Sequence, residues 1–383
     1  MNTRRKFLKF LGLMAGGTCL PFEYSSLHAA TGLSGDKGRN GRMILRFEPY
    51  ELQLKHVFTI ASGSRTTTPV MLTTIQWNDV IGYGEASMPP YLGESHLTAQ
   101  AFLSKVDLSG FSSPFLIDDI LSYIDQIAPG NYAAKASVDI ALHDLAGKLM
   151  QQPWHRIWGL NPGNTPNTSF TIGIDKPEIV REKVREASAF KILKIKLGGS
   201  DDKGMIQAVR SVTQVPLGVD VNQGWKDKHQ AIDMIHWLSE QGVIYIEQPM
   251  AKTAVEDIAW ITGQSPIPVI ADEAVQVPSD VRKVYGAYHG INIKLMKCGG
   301  LRAAFSMVNM ARALGMKVMI GCMTETSCAV TAAAQLSPAA DWADLDGNLL
   351  ISNDLFEGVR IVDGKVLIPD LPGIGVSKKI IPE

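Results

Sequence analysis

The chain has 383 residues, of which 45% are hydrophobic and 20% are charged, and its formal net charge is −1 at pH 7. This composition excludes a disordered or low-complexity chain, and the length allows a large core and more than one domain. Without the first thirty residues the net charge becomes −4, which argues against nucleic acid as a partner because nucleic acid needs a basic face.

The first thirty residues resemble a twin-arginine export signal. Arg4 and Arg5 precede an apolar stretch from Phe10 to Leu20, and small residues suited to cleavage follow. We therefore expect an export signal at 1–30, a linker at 31–42 and a periplasmic location. The alternative is a short membrane anchor, but no membrane span is expected once the signal is removed.

Cysteine usage fits an exported protein that does not depend on disulfides. Cys19 lies in the predicted signal, and the sequence leaves its lipidation open. The other three, Cys298, Cys322 and Cys328, are odd in number and lack the spacing of a metal site.

Residues 43–160 predict an α+β capping domain. Met43–Leu54 and Val70–Trp77 have the composition of strands, and Phe58–Arg65 lies in the connection between them. Ala133–Met150 has apolar residues at helical spacing.

Residues 161–346 predict a (β/α)7β barrel of TIM type, so the fold class is α/β. Eight apolar runs begin about 22 to 27 residues apart, at Ser169, Ile192, Pro216, Val243, Pro268, Gly290, Lys317 and Trp342. The intervening segments include helical patterns at 227–241 and 301–314. An open doubly wound sheet is the alternative, but the Gly-rich phosphate loop typical of that fold is missing. We expect 347–383 to pack back on the capping domain.

Charged residues stand at the ends of five successive barrel strands: Lys194 and Lys196, Asp220, Glu247, Asp272 and Lys294. A parallel barrel builds its active site at this end of its strands. Three converging carboxylates form an all-oxygen site that suits Mg²⁺ or Mn²⁺. Zinc is disfavoured because no histidine stands at the C-terminal end of a strand.

The three lysines favour acid–base chemistry. Lys194 and Lys196 face the same side of one strand, so we expect their like charges and a nearby cation to depress the pKa of at least one. Lys294 comes from a strand on the opposite side of the ring. Two bases flanking one carbon could remove and return a proton beside a metal-bound carboxylate.

Each charged residue also has an ordinary interpretation. Lys-x-Lys is commonly a solvated edge, and a strand-end Asp commonly caps a helix. Glu247 is harder to explain in this way, because a carboxylate in an apolar run is costly unless it is paired or metal-bound. Six such positions in the correct order favour chemistry.

The sequence resembles the enolase superfamily, in its muconate-lactonising subgroup. The resemblance extends over about 43–383 and rests on five motifs: KIK at 194–196, VDVNQGW at 219–225, IEQP at 246–249, ADEA at 271–274 and IKLMKCGG at 293–300. It implies proton abstraction next to a carboxylate with Mg²⁺ as cofactor. It also implies roles for six residues: Asp220, Glu247 and Asp272 as metal ligands, Lys196 and Lys294 as acid/base pair, and Lys194 as electrostatic helper.

Within the subgroup the chain is similar to dipeptide epimerases. Asp344 and Asp346 resemble the Asp-x-Asp pair with which those enzymes hold the α-ammonium of a substrate. Arg65, in the segment 61–68, falls where L-Ala-D/L-Glu epimerases carry an arginine that pairs with the glutamate side chain. The resemblance implies Mg²⁺-dependent epimerisation of a dipeptide, with L-Ala-D/L-Glu as the expected substrate.

Other functions stay open at this point. N-succinylamino acid racemase, o-succinylbenzoate synthase and muconate cycloisomerase share the lysines and the ligands. A Schiff-base aldolase could use one strand-end lysine, and an exported binding protein would need no metal. The sequence also leaves open the preferred dipeptide and whether the chain forms a homo-oligomer.

Overall fold

The computed structural model describes residues 41–61 and 63–380. The predicted export signal, residues 31–40 of the predicted linker and Cys19 lie outside this part of the chain. Among the helices that are described, none combines the length and apolarity needed to cross a membrane.

The capping domain is an antiparallel sheet covered by helices. Its strands run in the order β1 (Ile44–Ile60), β2 (Gly63–Trp77) and β3 (Val80–Ser87). Its helices are α1 (His96–Leu103), α2 (Ile117–Ile127), α3 (Tyr132–Met150) and the short α4 (Trp154–Ile157). The helix predicted at 133–150 is therefore present, and the third strand is an addition to the two that the sequence predicts.

Strand β3 carries two glycines because it lies directly against helix α3. A Cβ atom on Gly82 would lie 2.1 Å from the carbonyl oxygen of Ala141, and one on Gly84 would lie 2.0 Å from that of Ser137. Any larger residue would collide with the helix backbone. The same glycines lower the strand propensity of the segment, which is why its sequence does not predict a strand.

The hairpin of β1 and β2 reaches the mouth of the barrel. The sequence predicts a connecting segment through Arg65, but both strands continue further, and Ile60 pairs with Gly63 at the turn. Arg65 therefore lies on β2, opposite Phe58, rather than in a loop. A register shift between Gln53 and Phe58 interrupts the pairing and conceals this extension in the sequence pattern.

Eight parallel strands form the barrel, in chain order around the ring. They are β4 (Phe170–Ile172), β5 (Leu193–Lys196), β6 (Leu217–Asp220), β7 (Val243–Glu247), β8 (Val269–Ala271), β9 (Gly290–Lys294), β10 (Lys317–Gly321) and β11 (Trp342–Asp344). The amide of Ser169 donates to the carbonyl of Ala343 at 3.0 Å, so the last strand meets the first. The structure confirms the predicted (β/α)7β barrel with its α+β cap.

Helices connect the barrel strands on the outside. They are α5 (Pro177–Glu186), α6 (Asp202–Arg210), α7 (Lys228–Glu240), α8 (Val255–Thr262), α9 (Pro278–Val284), α10 (Leu295–Cys298), α11 (Leu301–Ala313) and α12 (Ser327–Ala334). The patterns at 227–241 and 301–314 thus match α7 and α11. The carboxylate of Asp139 on α3 accepts from the amide of Leu301 at 2.6 Å and joins the cap to the start of α11.

The C-terminal segment contains two short antiparallel pairs. Strand β12 (Phe356–Glu357) pairs with β15 (Ser377–Lys378), and β13 (Arg360–Val362) pairs with β14 (Lys365–Leu367). The segment contacts the cap at several points: Asn353 Oδ1 accepts from the amide of Gln53 at 2.8 Å, and Phe356 packs edge-on against Tyr83. It also contacts the barrel, where Gly364 O accepts from the amide of Thr168.

Candidate active site

Three carboxylates converge at the C-terminal ends of adjacent barrel strands. Asp220 ends β6, Glu247 ends β7, and Asp272 follows β8 directly. All three are buried, and one oxygen of each lies within 4.8 Å of one oxygen of both others. This spacing lets a single cation contact all three, and an all-oxygen set suits Mg²⁺.

The carboxylates also show the electrostatic character of a cation site. Glu247 Oε2 is buried and accepts no hydrogen bond from the described residues, although Lys194 Nζ lies 2.7 Å away. Burial and the negative charge of Asp220 raise the pKa of Glu247 to about 8. A carboxylate that is hard to ionise and has one buried oxygen without a hydrogen bond needs further positive charge nearby, and a divalent cation would supply it.

The three lysines lie against these carboxylates. Lys194 Nζ is 2.7 Å from Glu247 Oε2 and 3.3 Å from Asp220 Oδ2. Lys196 Nζ donates to Asp220 Oδ2 at 2.6 Å, and Lys294 Nζ donates to Asp272 Oδ2 at 2.8 Å. The amines and the carboxylates thus form one buried network.

The carboxylates shift the pKa of Lys194 in the direction opposite to the expected depression. Burial alone would lower its pKa, but the charges of Asp344, Glu247 and Asp220 together hold it well above the usual value. The pKa of Lys294 is likewise raised: burial alone would lower it, but Asp272, Tyr91 and Glu247 together outweigh that effect. The sequence argument counted the like charge of a neighbouring lysine and did not foresee how closely the carboxylates approach.

Lys196 and Lys294 lie on opposite sides of the barrel. Strands β5 and β9 are four positions apart in a ring of eight. Both lysines line the same cavity, of about 160 Å³, together with Asp272. A small molecule in this cavity would have one amine on each face.

Asp344 and Asp346 line the same cavity. Their carboxylates differ in the groups that neutralise or hydrogen-bond them. Asp344 Oδ2 lies 2.7 Å from Lys194 Nζ, and its Oδ1 accepts from Ser169 Oγ at 2.7 Å. Asp346 Oδ2 accepts from the amide of Thr171 at 2.7 Å. Burial and the charge of Asp344 raise the pKa of Asp346 to about 6. Of the two, Asp346 is therefore the carboxylate that would gain more from a ligand cation.

Arg65 enters the cavity from the cap. Its Nη2 donates to Thr324 Oγ1 at 3.0 Å, and its guanidinium lies over the ring of Phe58, 5.0 Å from the centroid. Its buried Nε finds no acceptor within the described parts of the chain. A planar donor group held in this way can receive a carboxylate.

Comparison with known proteins agrees with this site. Residues 178–379 match the model of the enolase C-terminal domain-like family, and residues 47–159 match the mandelate racemase / muconate lactonizing enzyme N-terminal domain. The chain belongs to this enolase family. It is also 57% identical over 390 aligned positions to L-Ala-D/L-Glu epimerase of Bacteroides thetaiotaomicron, with 99% of this chain and all of the relative covered.

Solved structures extend the likeness to the fold of this enolase-family chain. The substrate-liganded L-Ala-D/L-Glu epimerase of Bacillus subtilis is 28% identical, with a TM-score of 0.84 over 89% of this chain and 99% of its own. A dipeptide epimerase of Enterococcus faecalis, complexed with Mg and L-Leu-L-Tyr, is 29% identical, with a TM-score of 0.81 over 88% of this chain and all of its own.

The structure adds residues that the sequence reasoning missed. Tyr91 and Thr324 line the cavity, and the Tyr91 hydroxyl contacts Met323 Sδ at 2.9 Å. Glu273 lines it too and could have been noticed, because it is a second acid directly after the ligand Asp272. Tyr91 follows two prolines in an irregular segment, where no periodicity indicates which way a side chain faces.

Proposed function

We propose that this enzyme of the enolase family catalyses Mg²⁺-dependent epimerisation of a dipeptide, with L-Ala-D/L-Glu as its substrate. The reaction moves a proton at the carbon next to the C-terminal carboxylate. The observation that carries the proposal is the position of Lys196 and Lys294 on opposite sides of one cavity that is also lined by Asp272 of the carboxylate cluster. The 57% identity to an L-Ala-D/L-Glu epimerase supports the choice of substrate.

The two amines of Lys196 and Lys294 carry the proton. In one direction Lys196 in its neutral form removes the α-proton, and the ammonium of Lys294 donates a proton to the opposite face. The reverse reaction exchanges the two roles, and the next turnover begins after each lysine returns to its starting protonation state. Bound Mg²⁺ would stabilise the negative charge that develops on the substrate carboxylate. Lys194 adds positive charge at the same place.

Substrate recognition uses two charged groups of the dipeptide, the α-ammonium of its first residue and the side-chain carboxylate of its second. Asp346, supported by the neighbouring Asp344, would hold the α-ammonium of the first residue. Arg65 would pair with the side-chain carboxylate of the second residue.

An N-succinylamino acid has no α-ammonium for Asp346 to hold. We therefore expect Asp346→Asn to reduce activity on dipeptides and to leave any racemisation of N-succinylamino acids unchanged.

The direct test is proton NMR in D₂O with Mg²⁺ and either L-Ala-L-Glu or L-Ala-D-Glu. We expect deuterium at the α-carbon of glutamate and formation of the other epimer from both starting peptides. Removal of the metal with EDTA should stop both processes, and added Mg²⁺ should restore them. If no dipeptide in a panel of varied second residues incorporates α-deuterium, the epimerase proposal is wrong.

We also propose that the chain is exported to the periplasm and acts there on peptides released from murein. The support is the Arg4–Arg5 pair and the apolar stretch that follows it in the sequence. Replacement of both arginines by lysine should retain the full-length chain in the cytoplasm, as measured by cell fractionation and immunoblotting. An unchanged distribution would contradict export by this route.

A further inference from the structure

Each of the three carboxylates is held through one of its two oxygens by a hydrogen-bond donor other than Lys194, Lys196 and Lys294. For Asp220 this group is the amide of Asn222, which donates to Oδ1 at 3.0 Å. Asn222 has a left-handed backbone (φ +45°), which turns its amide back toward the strand end. The other oxygen, Oδ2, faces Lys196 and Lys194. Asp220 therefore presents one oxygen, Oδ2, on the side of the two lysines.

Glu247 is held in the same way by a side chain of another barrel strand, β9. Asn292, fully buried on β9, donates from Nδ2 to Glu247 Oε1 at 2.8 Å. The second oxygen, Oε2, lies toward Lys194 and accepts no hydrogen bond within the described chain. Rotation of Glu247 to offer both oxygens would leave the buried amide of Asn292 without its acceptor, which is unfavourable because a buried donor would then be unpaired.

Asp272 is held by a lysine with no exposed surface of its own. Lys297 Nζ donates to Asp272 Oδ1 at 2.5 Å and to the backbone carbonyls of Asp272 and Asn292 at 2.7 and 2.9 Å. These contacts use all three hydrogens of the ammonium, and the side chain is 0% exposed. The remaining oxygen of Asp272, Oδ2, accepts from Lys294. Lys297 does not line the cavity that holds Lys196 and Lys294.

The common result is a set of three carboxylates that each present a single oxygen. Mg²⁺ needs octahedral coordination and is satisfied by few protein oxygens together with substrate and water. Ca²⁺ takes six to eight oxygens and commonly binds carboxylates through both. A rigid set of three single oxygens therefore suits the smaller ion.

We infer that Asn292 and Lys297 are positioning residues that make the site select Mg²⁺ over Ca²⁺ by allowing Glu247 and Asp272 only one coordinating oxygen each. Removal of either holding group frees the second oxygen of its carboxylate. Ca²⁺ then gains a ligand, whereas Mg²⁺ gains nothing that its octahedral geometry can use. The inference deepens the metal requirement of the proposed function, but its test needs no dipeptide, so it succeeds or fails separately from the epimerase proposal.

The test is isothermal titration of MgCl₂ and CaCl₂ into the metal-stripped, full-length protein. Lys297→Met keeps the length of the side chain and removes the donor, and Asn292→Leu does the same for Glu247. We expect the ratio of the Ca²⁺ Kd to the Mg²⁺ Kd to fall about tenfold in each variant, within the range by which groups behind metal ligands change affinity. The double variant should show a larger fall.

Lys283→Met is the matched control, because Lys283 is an exposed lysine that pairs only with Asp280 on the same helix. Its Kd ratio should equal that of the unmodified chain. A ratio that stays constant in Lys297→Met and Asn292→Leu overturns the inference, including the case in which both ions weaken equally. If Lys297→Met does not fold, as judged by thermal melting, Asn292→Leu alone decides.

Discussion

Lys196 and Lys294 each face one ligand carboxylate, Asp220 and Asp272, at hydrogen-bonding distance. This similarity of surroundings suits a pair of residues that must exchange the roles of acid and base. We expect each lysine to serve one face of the substrate carbon and to be dispensable for exchange on the other.

The pair can be separated by substitution. We predict that Lys196→Met and Lys294→Met each lose epimerisation by roughly a hundred- to ten-thousand-fold, the usual contribution of a general base. Each should retain α-deuterium exchange from one epimer only, and the two variants should retain opposite epimers. The measurement is proton NMR in D₂O with each epimer separately. Equal loss of exchange from both epimers in either variant would contradict this division.

In the proposed function, Arg65 sets the preference for an acidic second residue. We predict that Arg65→Met lowers kcat/KM for L-Ala-L-Glu by about 10- to 100-fold, the effect of losing a hydrogen-bonded charge pair. Activity on L-Ala-L-Met should not fall, because that substrate has no carboxylate to pair. Arg46→Met is the control, since Arg46 is an exposed residue on the same sheet whose side chain hydrogen-bonds Gln76. An equal loss on both peptides would assign Arg65 a structural role.

At the scale of elements, strand β3 depends on its two glycines. We predict that Gly84→Ala lowers the free energy of unfolding by about 1–3 kcal/mol, because the added methyl group collides with the backbone of α3. Gly110→Ala is the control, since no described atom lies within 4 Å of its added Cβ. Urea unfolding followed by circular dichroism measures both. A stability loss no larger than that of the control would mean that the sheet and the helix can separate easily.

Several elements could be predicted from the sequence because their patterns report local preferences. The barrel strands are short apolar runs at regular spacing, and helix α3 has apolar residues at helical spacing. Strand β3 could not be predicted, because its glycines are required by close contact with α3, and α3 is distant in sequence. The extension of the hairpin past Arg65 follows from a register shift, and no local preference encodes that.

The sequence was sufficient to predict which residues come together in the candidate site. Charge at strand ends identifies Asp220, Glu247 and Asp272, since parallel strands bring their ends together. It does not reveal which oxygen of each carboxylate faces the cavity. That depends on Asn292 and Lys297, which resemble ordinary polar residues in an apolar run until their partners are known.

At the scale of the whole molecule, buried acids stand where the cap meets the barrel. Glu85 on β3 accepts from the amide of Thr326 at 2.9 Å and from its hydroxyl. Burial raises the pKa of Glu85 to about 7. Burial and the charge of Glu85 raise the pKa of Glu325 to about 8. Both carboxyls therefore keep their protons in the folded chain at pH values where the unfolded chain releases them.

Because of these raised pKa values, the stability of the interface falls as the pH rises. A folded-state pKa above the ordinary value of 4.5 gives stability that is complete below pH 4.5 and is lost as the pH rises through the folded pKa. We predict that Glu325→Gln, which cannot ionise, gains about 1–3 kcal/mol relative to the unmodified chain between pH 6 and pH 9. Urea unfolding at both pH values measures this gain. A constant difference between the two proteins would contradict the prediction.

The cavity is lined by residues from two parts of the chain, and the two parts have different roles. Phe58, Arg65 and Tyr91 line it from the cap, whereas the lysines and carboxylates come from the barrel. Inherited changes in the cap hairpin can therefore alter which peptide is accepted while the proton-transfer groups stay in place. A lineage carrying this fold can acquire new substrates through a few substitutions in β1 and β2, and its reaction type persists through that change.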